Sequence, residues 1–139
     1  MADYRMLPHT ADVMIMVEGA SLDDLFKRAG ESLSSIVLDR RRIRKRSKEQ
    51  AVLTGSGSEE LLFHFLRWIH FLIFAENFLV RRAEGKIDTA GNTCRAVAWG
   101  ESYEEGRHIF KTEVKAVTYH NLRIERRGEG YRAIFILDV

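Results

Sequence analysis

The 139-residue sequence predicts an α+β fold: two main helices packed on a mostly antiparallel β-sheet, in one domain spanning residues 1–139. Three observations carry this. Apolar residues between positions 22 and 37 recur at spacings of three and four, the stripe of an amphipathic helix. A second apolar stretch, from Ser58 to about Asn77, is too long for a strand. After it come short β-rich segments separated by turn signals, and a run of strands after helices favours antiparallel pairing.

The elements follow in order. Tyr4–Leu7 reads as a short strand ended by Pro8. Val13–Glu18 is β-rich and stops at Gly19. Ser21 caps the first helix, with Asp24 three residues on in capping-box fashion. Its stripe is Leu22, Leu25, Phe26, Ala29, Leu33, Ile36 and Val37. Ile43–Leu53 is charged early and apolar late, which reads as an exposed edge strand. Gly55-Ser56-Gly57 marks a loop. Ser58, Glu59 and Glu60 then start the second helix, the acids favouring the positive end of the helix dipole. That helix is apolar nearly all round, so it is central to the core or covered by another protein. Leu79–Ile87, Thr93–Tyr103, Ile109–Tyr119, Leu122–Glu125 and Tyr131–Leu137 read as strands, and Phe110, Thr112, Val114 and Ala116 alternate with charged residues as in a half-buried one.

Composition narrows the function. A chain of this length buries roughly 70% of its unfolded surface, enough for a core without disulfides or a structural metal. One cysteine, Cys94, excludes an internal disulfide framework and any multi-cysteine zinc site, and fits a reducing cytoplasm. The N-terminus has no secretory pattern, and the apolar stretch Leu61–Leu79 is broken by His64, Arg67, His70, Glu76 and Asn77, so no membrane span is expected. Net charge is +2, yet Arg40–Arg46 alone holds six cations, so the rest of the chain is net negative. The run offers sequence-independent attraction for phosphates. It contains no aromatic residue to stack a base, and a solvated edge strand is the plainer reading.

Catalytic signatures are missing. There is no phosphate loop and no nucleophile elbow. Cys94, inside a predicted strand, reads as an inert buried thiol. His64 and His70 lie about 120° apart around a helix, so they do not address one ion. Two places resist assignment to the core: the polar elbow Pro8–Asp12, and the apolar terminal strand ending in Asp138 and the free carboxylate of Val139. Read from the residues alone, Asp12 forms a turn or caps a helix and the terminus frays. The sharper alternative is that Asp12 meets Asp138 and Val139 and that a hard cation relieves the like charges.

His9-Thr10-Ala11-Asp12, the block Glu113–Leu122 (EVKAVTYHNL) and the terminal Asp138-Val139 resemble, in order and spacing, the archease family over essentially the whole chain. The middle block is the most specific of the three. The resemblance implies a protein that is not itself an enzyme but a partner of the RtcB-type tRNA-splicing RNA ligase. That ligase joins a 2′,3′-cyclic phosphate or 3′-phosphate RNA end to a 5′-hydroxyl end with GTP and Mn²⁺. The partner's implied role is to promote guanylylation and repeated turnover. The resemblance further implies a metal, Ca²⁺ foremost with Mg²⁺ or Mn²⁺ as alternatives, on Asp12, Asp138 and Val139. It places Lys115 and His120 near the partner contact, and His9 beside the metal or in a turn. Direct RNA contact is expected to be indirect or weak, and self-association stays open. Two departures stand out. Met14 occupies a position where the family commonly has glycine, which predicts a re-aimed turn. Arg67 and His70 make the second helix less acidic than the family pattern. The alternative function is a chaperone or specificity modulator of an RNA-modifying enzyme such as a tRNA methyltransferase, acting through the apolar second helix. A third is an RNA-binding module using Arg40–Arg46.

Overall fold

A computed structural model describes residues 4–7, 12–90 and 92–139, without the side chains of residues 6 and 7. The order is β1 (Tyr4–Leu7), β2 (Asp12–Gly19), α1 (Leu22–Val37), β3 (Ser47–Thr54), α2 (Ser58–Phe74), β4 (Phe78–Asp88), β5 (Thr93–Ser102), β6 (Ala116–Arg127) and β7 (Gly130–Asp138). All pairings among the named strands are antiparallel. The strands form two sheets rather than one: β1-β2-β7-β6 and β3-β5-β4. Together with the two helices this is the predicted α+β class.

Both sheets press their inward residues on the helices. Leu25, Phe26, Ala29 and Leu33 of α1 and Leu62, Phe65, Leu66 and Ile69 of α2 are fully buried. The Phe26 and Phe65 rings meet at 5.5 Å between centroids. Burial of this kind is the main stabilising term, at about 25 cal/mol per Å² of apolar surface. The expected cap of α1 is present: Ser21 Oγ accepts from the Asp24 backbone N–H at 3.0 Å, and Asp24 Oδ2 accepts from the Ala20 N–H at 2.9 Å. α2 starts differently. Gly57 holds the cap position at φ 135° with no side-chain cap, and Glu60 reaches back to accept from the Ser56 N–H at 3.1 Å. The helix stops at Phe74, three residues short of Asn77, whose φ of 54° is left-handed.

Two segments depart from expectation. The edge strand begins at Ser47, not Ile43. Residues 40–42 form a single 3₁₀ turn, and Ile43 is pulled into the core. The Arg81 guanidinium donates to the carbonyls of Arg40, Arg41 and Ile43, so this backbone is satisfied without a strand partner. The basic run is therefore a turn leading into an edge strand, not the strand itself.

The strand expected at Ile109–Tyr119 begins only at Ala116. Ala116 already pairs with Asp138, the last residue of β7, so residues upstream have no strand left to join. They wrap over the end of α1 instead, where the Lys111 N–H donates to the Val37 carbonyl at 2.7 Å. Of the alternating set, Val114 is buried and Phe110 is exposed. Leu122–Glu125 is not separate but continues β6.

Candidate functional site

The two ends of the sequence meet in one row of the first sheet. Asp12 pairs directly with Asp138, and Asp138 pairs on its other side with Ala116. Residues directly opposite across an antiparallel pair project from the same face, with Cβ atoms about 4.5–5.5 Å apart. Ile15 and Val17 of β2 and Phe135 and Leu137 of β7 lie in the core. Strand alternation therefore sends Asp12 and Asp138 to the outward face. The Lys115 backbone N–H donates to the Asp138 carbonyl at 2.7 Å, which holds the last turn of the ladder in register. Val139, 37% exposed, follows directly at the same sheet end.

The sequence motifs thus converge in part. Asp12, Asp138, Val139 and Lys115 come together, whereas His9, Thr10 and Ala11 lie outside the described residues. His120 is set apart. Between Thr118, opposite Ile136, and Arg123, opposite Ile134, β6 spends five steps where β7 spends two. The extra residues form a bulge in which Tyr119, His120 and Asn121 are exposed, with Asn121 at φ 60°. Tyr119 leans on Phe63 of α2 at 5.0 Å between centroids. Met14 sits in regular extended strand opposite Leu7 and Ile136, and the turn it was expected to re-aim lies outside the described residues. Thr118, two residues from Ala116 and on the same face, buries a hydroxyl with no hydrogen-bond partner among the described residues.

The side-chain donors that the register brings together at this sheet end are oxygens, those of two facing carboxylates. That chemistry suits a hard cation, which takes six to eight oxygen ligands. The described residues furnish only part of such a shell, since no cluster of three or more His, Cys, Asp or Glu side chains occurs among them. His64 and His70 do not converge either: His70 Nε2 donates to the Val114 carbonyl at 2.6 Å, and His64 lies 3.7 Å from Glu60. Cys94 is fully buried, and desolvation pushes its thiol up to about 12.

A second polar cluster had no signal in the sequence. Glu101, 4% exposed, accepts from Arg107 Nη1 at 2.6 Å, from His108 Nε2 at 2.8 Å and from the Arg44 N–H at 2.9 Å. The Glu104 N–H donates to His108 Nδ1 at 2.8 Å, which fixes that ring as the neutral Nε2–H tautomer. The Arg107 hydrogen bond leads the other donors in holding Glu101 at about 2 against the opposing cost of burial. These residues come from two stretches of the sequence, Arg44 and residues 101–108, and only the folded chain joins them.

The model of the Archease protein family (MTH1598/TM1083) matches residues 4–139. The sequence is 30% identical to protein archease of Sulfurisphaera tokodaii over the full length of both chains. It is 31% identical to protein archease of Aeropyrum pernix over 94% of this chain and 93% of that one. The solution structure of Methanobacterium thermoautotrophicum protein 1598 matches both chains in full with a TM-score of 0.85 at 24% identity. The crystal structure of a Thermotoga maritima archease, described as a possible chaperone, matches 97% of this chain and 96% of that one with a TM-score of 0.61 at 24% identity. At such identities these two structures speak to the fold alone.

Proposed function

The chain belongs to the archease protein family, and from that premise we propose that it is a non-enzymatic activator of an RtcB-type RNA ligase, acting through the acidic end of its first sheet. One observation carries the reading: Asp12 and Asp138, from opposite ends of the sequence, are register partners beside Ala116 of the EVKAVTYHNL block.

A divalent cation, Ca²⁺ by resemblance with Mg²⁺ or Mn²⁺ as alternatives, would be held by Asp12, Asp138 and the Val139 carboxylate, and would supply the positive charge that lets these groups approach phosphates. The sheet fixes the spacing of the two side chains in advance. The Lys115 N–H anchors the Asp138 backbone, and the exposed Lys115 side chain offers a cation to the partner. In this reading the acidic end enters the ligase's nucleotide site and orders groups there during guanylylation. His120, on its bulge, contacts the partner rather than the metal.

The test is turnover. Substoichiometric ligase is mixed with this protein, GTP, Mn²⁺ and a broken tRNA bearing a 2′,3′-cyclic phosphate. Wild type is expected to sustain many turnovers, and Asp12→Ala or Asp138→Ala about one. Stimulation by both variants equal to wild type would overturn the proposal. A second reading, the chaperone or specificity modulator of an RNA-modifying enzyme, draws support from exposed Phe71, Ile109, Phe110 and Tyr103. It predicts suppression of a methyltransferase's aggregation that survives Asp12→Ala and is lost in Phe71→Ser.

A further inference from the structure

The outward face of the second sheet is built differently from anything the carboxylate reading uses. Alternation along β3, β4 and β5 sends two mixed rows to solvent: Lys48, Trp99 and Arg82 side by side, and farther along Val52, Arg95 and Lys86. Lys48, Lys86 and Arg95 are exposed and, with Lys45 just upstream, form no ion pair among the described residues. Arg82 lies over the Trp99 ring at 5.1 Å and binds Glu84, the acid between the two rows, at 2.6 Å. Asp88, the other outward carboxylate of β4, sits at the far end beside Thr93.

The basic run feeds this face without being its main part. Arg40 is held by Glu31 at 3.3 Å, and Arg41 and Arg42 by Asp39 at 3.1 and 3.6 Å. The Arg46 N–H donates to the Gly100 carbonyl at 3.0 Å and extends the β3–β5 ladder by one step, so Lys45 and Arg46 lead directly to Lys48. With Arg46 lying 3.7 Å from Glu101, four of the six cations that draw the eye in the sequence are committed to acids. The available ones lie on the sheet.

We propose that this face binds a single-stranded polynucleotide, with phosphates on Lys45, Lys48, Lys86 and Arg95 and a base stacked on the Arg82–Trp99 pair. Unpaired cations spread over a sheet face around an aromatic ring are the elements of a stacking platform for single strands. A lipid surface fits less well, because Trp99 is half-buried under Arg82 and Val52 alone projects as a large apolar group. The proposal does not depend on the ligase reading.

The experiment is fluorescence anisotropy of labelled oligo(U) and oligo(dT) with the purified protein alone. Contact with four phosphates predicts a dissociation constant that rises about 50-fold between roughly 50 and 200 mM salt. Lys48→Glu/Arg95→Glu, at exposed and unpaired positions, is expected to weaken binding by about tenfold or more. Trp99→Leu is expected to weaken it by about tenfold through lost stacking. Arg41→Glu/Arg42→Glu is expected to stay within twofold of wild type, and circular dichroism confirms that each variant is folded. No binding at low salt would overturn the proposal. So would a loss confined to the Arg41/Arg42 variant, or inorganic polyphosphate competing as well as oligo(U) while a folded Trp99→Leu binds normally.

Discussion

The two sheets press their inner faces on the same pair of helices and differ on their outer faces. The first ends in paired aspartates, and the outward row next to them, Met14 beside Ile136, is apolar. The second presents lysines and arginines around an indole. The inner faces are interchangeable in kind, since both need only apolar groups of the right volume. Every second position is freed from that demand. The contrast teaches that one core can carry an acidic sheet end and a cationic sheet face, and that chemistry is written in the alternate residues.

The strongest way to break the contrast is to remove what both sheets share. Phe26→Ala empties a fully buried site against Phe65 and is expected to cost about 3–5 kcal/mol by urea denaturation, loosening both faces together. Next comes a cut that touches the second sheet alone. Glu101→Ala strips Arg107, His108 and the Arg44 N–H of their acceptor and is expected to cost about 2–3 kcal/mol. The same group sets an acid limit. Glu101 titrates at about 2 in the fold against an ordinary 4.5, so its contribution is complete above the ordinary value and disappears as pH falls from 4.5 toward 2. Thermal melts across that range are expected to fall for wild type and to flatten for Glu101→Gln.

A smaller effect singles out the first sheet. If the acidic end holds Ca²⁺, the ion at ten times its dissociation constant raises stability by about 1.4 kcal/mol. That gain is expected to vanish in Asp138→Ala and to persist in Lys48→Glu/Arg95→Glu. The smallest effect sharpens the picture of the interior. Cys94, fully buried and with its thiol pushed up to about 12, is expected to resist alkylation in the native state at neutral pH and to react fully in denaturant.

How much of this was legible from residues follows from the range of each interaction. α1 was readable from cap to stripe because a helix is a local object, and Ser21 and Asp24 bond within one turn. The break between the strands read at Leu122–Glu125 and Tyr131–Leu137 was readable for the same reason, and the fold makes it a hairpin closed by Arg127 and Gly130. The strand expected at Ile109 failed because its alternation was real but its partner was not, β7 having run out at Asp138. The basic run misled because its neutralising acids, Glu31 and Glu101, stand outside it. At the acidic end, residue patterns alone preferred a turn and a frayed terminus. Family resemblance named Asp12, Asp138 and Val139, and the register supplies the juxtaposition that no local rule contains.

The place of β7 in its sheet has a consequence for how the molecule assembles. The second sheet draws on residues 47–102 and can close from one contiguous length of chain. The first cannot: β7, the last strand, lies between β2 and β6, so the β1–β2 hairpin must wait for the final nine residues. Pairings of such sequence separation form late, because loop-closure entropy is lost before the contacts compensate it. β7 is therefore made after every other strand of the first sheet, and the aspartates meet only once it has formed. A chain cut short at the start of β7 would lose Phe135 and Leu137 from the shared core together with the aspartate pair.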